Sequence, residues 1–325
     1  MSTLRFIDAI RNALDIELRR DPSVVVLGED VSYGGPFGAT KGLAEAHGRR
    51  IQDTPISEAT VMGLTVGAAL SGLRPVMEVM YIDFITLAMD QLVNHGAKLR
   101  YMTDGLLRAP MVIRAQGGAR GSMGAHHSQS LEAWFAHVPG LKVVMPATAA
   151  DAKGLLLSAI DDPNPVIVLE HKLLYRESGP VPTEAVRVPI GKAAVHRAGR
   201  DVTIVATGVE VSRSLAAAEQ LAQEGIEASV IDPRTLTPLD DAPIHEDVSR
   251  TGRLLLVQEA PGHGGFTGEI AARIAGSDTL YRLLAPIKRL SGLDVPIPYA
   301  PQLEKACVPQ VPDIVDAART LVKES

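Results

Sequence analysis

The chain has 325 residues, 46% of them hydrophobic and 22% charged, with a formal net charge of −6. This length and composition predict about two globular domains with ample core, while the negative charge and the lack of a lysine or arginine cluster argue against nucleic-acid binding. No apolar run approaches the roughly 20 residues of a membrane span, and the single cysteine, Cys307, excludes an internal disulfide.

The first half of the chain alternates helical and strand patterns. Its first element is predicted as an amphipathic helix, because apolar residues recur at helical spacing at Leu4, Ile7, Ile10, Leu14 and Leu18. This start is not typical of a targeting signal, so we expect a cytoplasmic location. Short apolar runs then predict strands at residues 24–28, 75–80, 111–114, 142–145 and 166–170. The helical stretches between these runs indicate a largely parallel sheet covered on both faces.

A second alternation follows a polar stretch rich in proline. Residues 175–192 contain Pro180, Pro182 and Pro189, which favours a linker. Beyond it, the patterns predict strands at 201–207, 226–231 and 253–258 and helices at 211–224 and 311–323. The predicted fold class is therefore α/β with two domains, residues 1–185 and a smaller domain at residues 186–325.

The most informative stretch is residues 53–58, Asp-Thr-Pro-Ile-Ser-Glu, which is typical of a strand end, a turn and the start of a helix. Ser57 is a predicted N-cap, which places Glu58 where the helix dipole favours an anion. That position alone fits a glutamate that only stabilises the helix. Gly63 and Gly67 leave one face of the helix nearly bare, at a cost of about 1 kcal/mol each relative to alanine. We therefore expect another element to pack close to it.

Two glycine-rich stretches, residues 34–38 and 117–124, lack the spacing of a dinucleotide fingerprint and the lysine of a phosphate loop. The first fits either a flexible active-site rim or a plain turn, and the second is long enough to form a mobile loop but equally fits a turn. His126 and His127 follow the second stretch. Adjacent histidines seldom form a metal pair, and the sequence contains no Gly-x-Ser-x-Gly elbow. These histidines therefore fit either proton transfer near neutral pH or loop packing.

Several short motifs occur in order along the chain. They are Gly28-Glu29-Asp30-Val31, residues 53–58, Gly72-Leu73-Arg74-Pro75-Val76-Met77-Glu78, Asp90-Gln91, His127-Ser128-Gln129, Pro139-Gly140-Leu141-Lys142-Val143-Val144 and Asp232-Pro233-Arg234-Thr235. Together they resemble the beta subunit of the thiamine-diphosphate-dependent decarboxylase component of 2-oxo acid dehydrogenase complexes, in the transketolase-like superfamily. The resemblance covers nearly the whole chain. It implies a pyrimidine-binding domain at residues 1–185 and a domain like the transketolase C-terminal domain at residues 186–325.

The resemblance implies a catalytic role for Glu58. In the family, the matching glutamate hydrogen-bonds N1′ of the cofactor's aminopyrimidine ring and so helps the thiazolium ring to lose its C2 proton. Phe84 matches the aromatic residue that packs on the aminopyrimidine, with Ile56, Met80 and Leu87 beside it. Part of this set also fits a core stripe at helical spacing. Leu87 departs from the glutamine of mitochondrial pyruvate-specific members, which leaves the substrate open.

The resemblance also implies two further sites. His127 matches the family's active-site histidine, which stabilises charge or moves a proton during transfer to lipoamide, whereas the role of His126 stays open. A K⁺ site is implied from carbonyl oxygens, namely those of Met111, Ala159, Ile160, Asp162 and Asn164. The Asp-Pro-Asn-Pro sequence at residues 162–165 equally fits an ordinary turn.

The chain lacks a Gly-Asp-Gly motif followed by an asparagine pair. In the family, Mg²⁺ and the diphosphate of thiamine diphosphate are held by a separate alpha subunit, so no Mg²⁺ ligand is expected in this chain. The resemblance implies an α2β2 heterotetramer with the cofactor shared between subunits. It also implies docking to the lipoyl acyltransferase core, for which residues 292–296 and the chain end are candidates.

The implied reaction is oxidative decarboxylation of a 2-oxo acid with acyl transfer to lipoamide. Residues 83–91 and 170–175 favour pyruvate or acetoin, and a branched-chain 2-oxo acid stays open. Two rival hypotheses remain, a self-sufficient thiamine enzyme such as a transketolase and a non-catalytic scaffold of the same fold.

Overall fold

The computed structural model describes residues 1–323. The chain divides into two compact units, the first made of residues 1–117 and 134–190 and the second of residues 118–133 and the chain from residue 191 onward. Both units alternate strands and helices, which confirms the predicted α/β class. Within the described residues, none of the helices combines the length and the apolar character needed to cross a bilayer.

The first unit is built on a parallel sheet. The strands of residues 1–190 are β1 (Ser2–Arg5), β2 (Val24–Gly28), β3 (Ile51–Asp53), β4 (Arg74–Val79), β5 (Val112–Gly117), β6 (Lys142–Val144), β7 (Val166–His171) and β8 (Ser178–Val181). Strands β6-β7-β5-β4-β2-β3 lie side by side in that order, and every pair is parallel. The predicted parallel sheet is confirmed. The strand interiors are almost wholly buried, as expected for a sheet flanked by helices.

The helices of residues 1–190 lie against this sheet and each other. They are α1 (Phe6–Arg20), α2 (Leu43–His47), α3 (Glu58–Leu70), α4 (Ile82–Ile85), α5 (Leu99–Met102), α6 (Glu132–Ala136) and α7 (Ala149–Asp161), with a π-helix at Asp90–Gly96. Helix α1 packs on α7, and α3 packs on β4 and on the π-helix. Leu4 belongs to β1 instead of the predicted first helix. The apolar positions of α1 are buried as its period predicts.

Part of the predicted linker is a strand. Strand β8 pairs antiparallel with β1, and Ser2 lies opposite Val181. The prediction of a linker across residues 175–192 was wrong for residues 178–181, because Gly179 and Pro180 do not look like strand formers. Proline is nevertheless tolerated in an edge strand, where its missing N–H is not needed.

The second unit contains a smaller sheet. Its strands are β9 (Ala194–Arg197), β10 (Val202–Ala206), β11 (Ala228–Asp232), β12 (Thr235–Thr237), β13 (Leu254–Pro261) and β14 (Lys288–Gly292). Its helices are α8 (Val209–Gln223), α9 (Ala242–Thr251), α10 (Thr267–Ala275), α11 (Pro301–Ala306) and α12 (Val311–Lys323). The sheet order is β14-β13-β10-β11-β9, and only the β11–β9 pair among these is antiparallel.

Residues 118–133 pack with the second unit, although they precede the predicted boundary at residue 185. The backbone N–H of Ala119 donates to the carboxylate of Glu259 at 2.7 Å, and that of Ser122 donates to Glu304 at 3.0 Å. Ala119 also packs in a small buried cluster with Cys307. Such long-range contacts leave no trace in local sequence patterns. The boundary at 185/186 stays a prediction.

Candidate functional site

The carboxyl ends of β2, β3 and β4 lie next to one another. Gly28, Asp53 and Glu78 are neighbours in register, since Gly28 lies opposite both of the others. The three chain segments that follow these strands must therefore leave the sheet at the same edge. In open parallel sheets, ligands bind at the carboxyl ends of the strands. This edge holds Ile56, Glu58 and Met80, three of the residues predicted from the resemblance.

Hydrogen bonds fix the segment that follows β3. The backbone N–H of Thr54 donates to the Gly28 carbonyl at 3.0 Å, and the Asp53 carboxylate accepts from the N–H of Ser32 at 2.8 Å. The Thr54 hydroxyl is buried and makes no hydrogen bond within residues 1–323. Buried polar atoms are almost always hydrogen-bonded. The unpartnered hydroxyl is therefore consistent with a hydrogen bond to a second molecule bound at this edge. Ile56 follows with its side chain 80% exposed.

Ser57 occupies the N-cap position of α3 but does not cap it through its side chain. Its hydroxyl donates to Thr60 Oγ1 at 2.9 Å instead of accepting from a helix N–H. The helix start therefore keeps unsatisfied N–H groups and a local positive potential.

Glu58 is the first residue of α3 and is half-buried. Within residues 1–323, its carboxylate makes no hydrogen bond or ion pair. A second acid, Glu29, lies near it. Burial raises the pKa of Glu29, and the nearby negative charges of Glu58 and Asp30 raise it further. A fixed carboxylate with free acceptor oxygens can share a proton with a weakly basic ring nitrogen.

The small residues of α3 face two different environments. A Cβ atom on Gly63 would lie 3.7 Å from the Gln91 side chain, an ordinary van der Waals contact within the chain. A Cβ atom on Gly67 would meet nothing within 4 Å, and Leu64 on the same helix is 55% exposed. The bare face predicted from both glycines is therefore partly covered at Gly63 and open at Gly67.

Met80, Phe84 and Leu87 lie on the segment that follows β4. Met80 and Phe84 are half-buried, and Leu87 is exposed, so none of the three belongs to the buried core. The alternative of a core stripe is thus not supported by their exposure. Helix α3 packs on this segment, which brings Glu58 and the predicted ring-contact residues onto neighbouring elements.

Tyr81, between Met80 and α4, has an unusual backbone conformation. Its φ of 78° and ψ of 137° fall where residues with a Cβ atom rarely occur, and such a conformation costs about 1–3 kcal/mol. The ring of Tyr81 is held by edge contacts with Phe37 and Phe84, at centroid distances of 5.8 and 6.2 Å. The Nζ atom of Lys172 lies 5.2 Å from the ring centroid.

A buried ion network lies within the sheet near this edge. Arg114 on β5 donates to both oxygens of Glu170 at 2.7 and 2.9 Å and to Glu78 at 2.6 Å, and the Tyr175 hydroxyl donates to Glu170. Burial opposes the charge on Arg114, but Glu170 and Glu78 outweigh it and raise its pKa. Burial raises the pKa of Glu78 despite Arg114. A Cβ atom on Gly35 would meet the Glu78 carboxylate at 2.6 Å, so this network also fixes the first glycine-rich turn.

The residues at this edge fit an aminopyrimidine ring. Such a ring needs one acid beside its nitrogen and apolar surfaces against its faces. Glu58 offers unpaired carboxylate oxygens, while the exposed Ile56 and Leu87 and the half-buried Phe84 offer apolar surface that the chain itself leaves uncovered. Ionic ligands for a diphosphate or Mg²⁺ are not needed for this part of the cofactor.

His126 and His127 lie in the second unit, on a one-turn helix at residues 125–127. The N–H of His127 donates to the Gly124 carbonyl at 3.3 Å, and His127 is half-buried while His126 is exposed. The following Ser128 is buried, and a cavity of about 440 Å³ within this unit is lined by His126, Ser128 and Glu259. The second glycine-rich stretch therefore forms an anchored loop that presents the two histidines.

At least two of the carbonyl groups predicted for K⁺ already accept hydrogen bonds within the chain. Arg74 donates to the carbonyl of Ile160 at 2.7 Å, and the carbonyl of Met111 accepts from the N–H of Val166 at 3.0 Å. The side chain of Lys142 also pairs with Asp162. Each carbonyl oxygen has a second lone pair, so the K⁺ site stays a proposal.

Residues 2–178 match the pyrimidine-binding domain of transketolase, and residues 191–314 match the transketolase C-terminal domain. The beta-1 subunit of the mitochondrial pyruvate dehydrogenase E1 component of Arabidopsis thaliana is 47% identical over 318 residues, covering 96% of this chain and 87% of that protein. The chain belongs to the family of 2-oxo acid dehydrogenase E1 beta subunits. Membership in this transketolase-like family implies dependence on thiamine diphosphate.

Relatives of this beta subunit carry different substrate names at nearly equal identity. The 2-oxoisovalerate dehydrogenase subunit beta of Bacillus subtilis is 47% identical, covering 98% of both chains. The beta subunit of the acetoin:2,6-dichlorophenolindophenol oxidoreductase of Cupriavidus necator is 45% identical, covering 97% of this chain and 96% of that protein. A split-gene transketolase, described as an inactive beta4 tetramer, superimposes with a TM-score of 0.80 over 98% of both chains, and at 24% identity it shows the fold alone.

Sequence reasoning on this beta subunit did not single out Glu29, Tyr81, Arg114 or Lys172 as parts of the site. Glu29 carried a signal, since it directly follows a buried strand on the predicted sheet. No local signal marked Tyr81, Arg114 or Lys172. The positive φ of Tyr81, the ion pairs of Arg114 and the burial of Lys172 all depend on contacts between residues distant in sequence.

Proposed function

We propose that this beta subunit contributes half of an active site that decarboxylates a 2-oxo acid oxidatively, pyruvate first, and passes the acyl group to lipoamide. The observation that carries the proposal is Glu58, a half-buried carboxylate without a bonding partner within residues 1–323. It lies at the carboxyl edge of a parallel sheet, where exposed Ile56 and Leu87 offer apolar surface for a ring.

Thiamine diphosphate supplies the electron sink that makes loss of carbon dioxide possible. The chain's own residues bind and orient its aminopyrimidine ring. Glu58 holds a proton at the ring nitrogen N1′, and the partly apolar surroundings keep competing water away from that proton. Phe84 would pack on the ring, with Ile56, Met80 and Leu87 beside it.

The remaining ligands come from a partner in this proposal. An alpha subunit holds Mg²⁺ and the diphosphate, and the enzyme is an α2β2 heterotetramer. The same proposal includes a K⁺ site formed by the carbonyl oxygens of Met111, Ala159, Ile160, Asp162 and Asn164. For the lipoyl acyltransferase core, residues 292–296 offer Leu293 and Val295, which are 54% and 49% exposed. The other candidate, the chain end, includes residues 324 and 325, which lie outside the described residues.

The test of the function is reconstitution. The chain is co-expressed with the proposed alpha subunit, and pyruvate, acetoin and 3-methyl-2-oxobutanoate are compared as substrates with an artificial electron acceptor. We expect turnover that requires both chains and is fastest with pyruvate. Faster turnover of another substrate would reassign the specificity, and no turnover of any of them would favour a scaffold.

His127→Asn should separate the two half-reactions. Because His127 is proposed to act in transfer to lipoamide, we expect the lipoamide-dependent rate to fall by about 10²-fold or more, with a smaller loss with the artificial acceptor. Stopped-flow measurement of both rates checks this. The matched control is His126→Asn, which should stay close to wild type. Equal losses in the two variants would contradict the assignment to His127.

Gly67→Leu should disrupt assembly without unfolding the chain. Gly67 faces open space in the single chain, so a leucine is accommodated there, but a partner helix packed against it would be displaced at a cost of about 1–3 kcal/mol. Analytical ultracentrifugation should show weaker assembly, while the melting temperature of the isolated chain does not fall. Gly67→Ala is the control and should assemble almost normally. Normal assembly of Gly67→Leu would exclude a close helix contact here.

A further inference from the structure

Lys172 is a buried lysine outside the groups that the proposed chemistry uses. It directly follows β7, its exposed fraction is 0%, and its N–H donates to the Gly117 carbonyl at the end of β5 at 3.2 Å. Ordering and dehydrating a lysine is costly, so a fully buried one indicates specific surroundings. Its Nζ atom lies over the face of the Tyr81 ring, 5.2 Å from the centroid.

Tyr81 is the strained residue of the segment that carries Met80 and Phe84. Its positive φ is not a conformation that its own side chain favours, so the surroundings must hold it. Those surroundings are aromatic and charged. Phe37 and Phe84 contact the ring at its edges, and Lys172 covers a face. Asp83, the buried acid two residues along the chain, acts on the same ring, since it adds to burial in raising the pKa of Tyr81.

We propose that Lys172 and Tyr81 form a positioning pair that holds the Met80–Phe84 segment in the conformation that receives the aminopyrimidine ring. The cation anchors the aromatic ring, and the ring fixes the strained turn. The turn sets the direction in which Met80 and Phe84 leave the sheet edge. Neither member of the pair contacts reacting atoms in this inference, which rests on the proposed function.

The pair predicts a specific defect in cofactor binding. Replacement of Lys172 by methionine keeps the length of the side chain but removes the charge. A desolvated cation–π contact of this kind implies an affinity for Mg²⁺–thiamine diphosphate weaker by about ten- to thirtyfold in the reconstituted α2β2 enzyme, measured by calorimetry. At saturating cofactor, kcat should change by less than about threefold, since the chemistry of Glu58 is intact. Lys172→Arg should restore most of the affinity.

A second buried lysine provides the matched control. Lys153 is 2% exposed and donates to the carbonyl groups of Pro182 and Thr183 at 2.7 and 3.2 Å, away from residues 80–84 in sequence and without a contact to Tyr81. Lys153→Met removes a buried ammonium group and should leave cofactor affinity unchanged. Tyr81→Phe keeps the ring and should bind nearly normally, whereas Tyr81→Leu should match Lys172→Met.

Three outcomes overturn the inference and are distinguishable. If wild-type enzyme binds the cofactor and both Lys172→Met and Tyr81→Leu bind it equally well, the positioning pair is excluded while the proposed function stands. If the wild-type tetramer itself does not bind thiamine diphosphate, the proposed function fails and the inference fails with it. Equal loss of affinity in Lys172→Met and Lys153→Met would show a general effect of removing buried charge and would also refute the pair.

Discussion

Replacing Glu58 by glutamine is expected to lower kcat of the reconstituted enzyme by about 10²–10⁴-fold, the range that a positioned acid–base group contributes. The amide has nearly the same shape as the carboxylate but cannot hold the shared proton. The fall in kcat is measured as turnover with the artificial electron acceptor. Exchange of the thiazolium C2 proton for deuterium, followed by quenched-flow NMR, should slow in parallel, while cofactor binding persists.

Glu45→Gln is the matched control for this experiment. Glu45 is an exposed glutamate in the first turn of α2, so it shares the helix-dipole environment of Glu58 but lies on another helix. Its replacement should leave kcat unchanged. Undiminished turnover of Glu58→Gln would reduce Glu58 to a helix-stabilising residue and would revive the scaffold hypothesis.

Arg114→Met should be among the most destabilising single substitutions in the chain. Loss of this cation leaves the buried Glu78 and Glu170 without the charge that pairs with them, and breaking a buried ion pair in this way costs about 3–5 kcal/mol. Urea unfolding of the isolated chain, followed by circular dichroism, should show a correspondingly lower midpoint.

Two further variants separate the buried charge from the loss of a long side chain. Arg19→Met removes an exposed cation paired with Asp15, and we expect a change of at most about 1 kcal/mol. Adding Glu78→Gln and Glu170→Gln to Arg114→Met should recover part of the stability, because the two carboxylates left without Arg114 are then also removed. If Arg114→Met were as stable as wild type, the described ion pairs of Arg114 with Glu78 and Glu170 would be contradicted.

The order and type of most elements could be predicted from the sequence, because short apolar runs and helical periods are local signals. Residues 24–28 and 311–323 were predicted with the observed limits. Errors at other ends have a physical reason. The predicted strand at 111–114 stopped at a charged residue, yet β5 continues to Gly117 because Arg114 is neutralised by two carboxylates. Strand β13 likewise runs past Glu259, whose carboxylate accepts from Ala119.

The candidate site was only partly predictable. Glu58 and its apolar neighbours came from a motif and a resemblance, and their roles stay proposals. The conformation of Tyr81 and the burial of Lys172 could not be predicted, since one residue lies before α4 and the other after β7, 91 positions later by their numbering. Only a folded sheet places the ends of β4 and β7 where a lysine can cover a tyrosine ring.

The excursion of residues 118–133 limits how the chain can be dissected. A fragment that starts at residue 186 would contain the second sheet but not Ala119 and Ser122, whose amide groups satisfy Glu259 and Glu304. Both acids would then lose these backbone donors. An isolated second unit would therefore have to include these sixteen residues. They could be fused ahead of residue 191 through a flexible spacer.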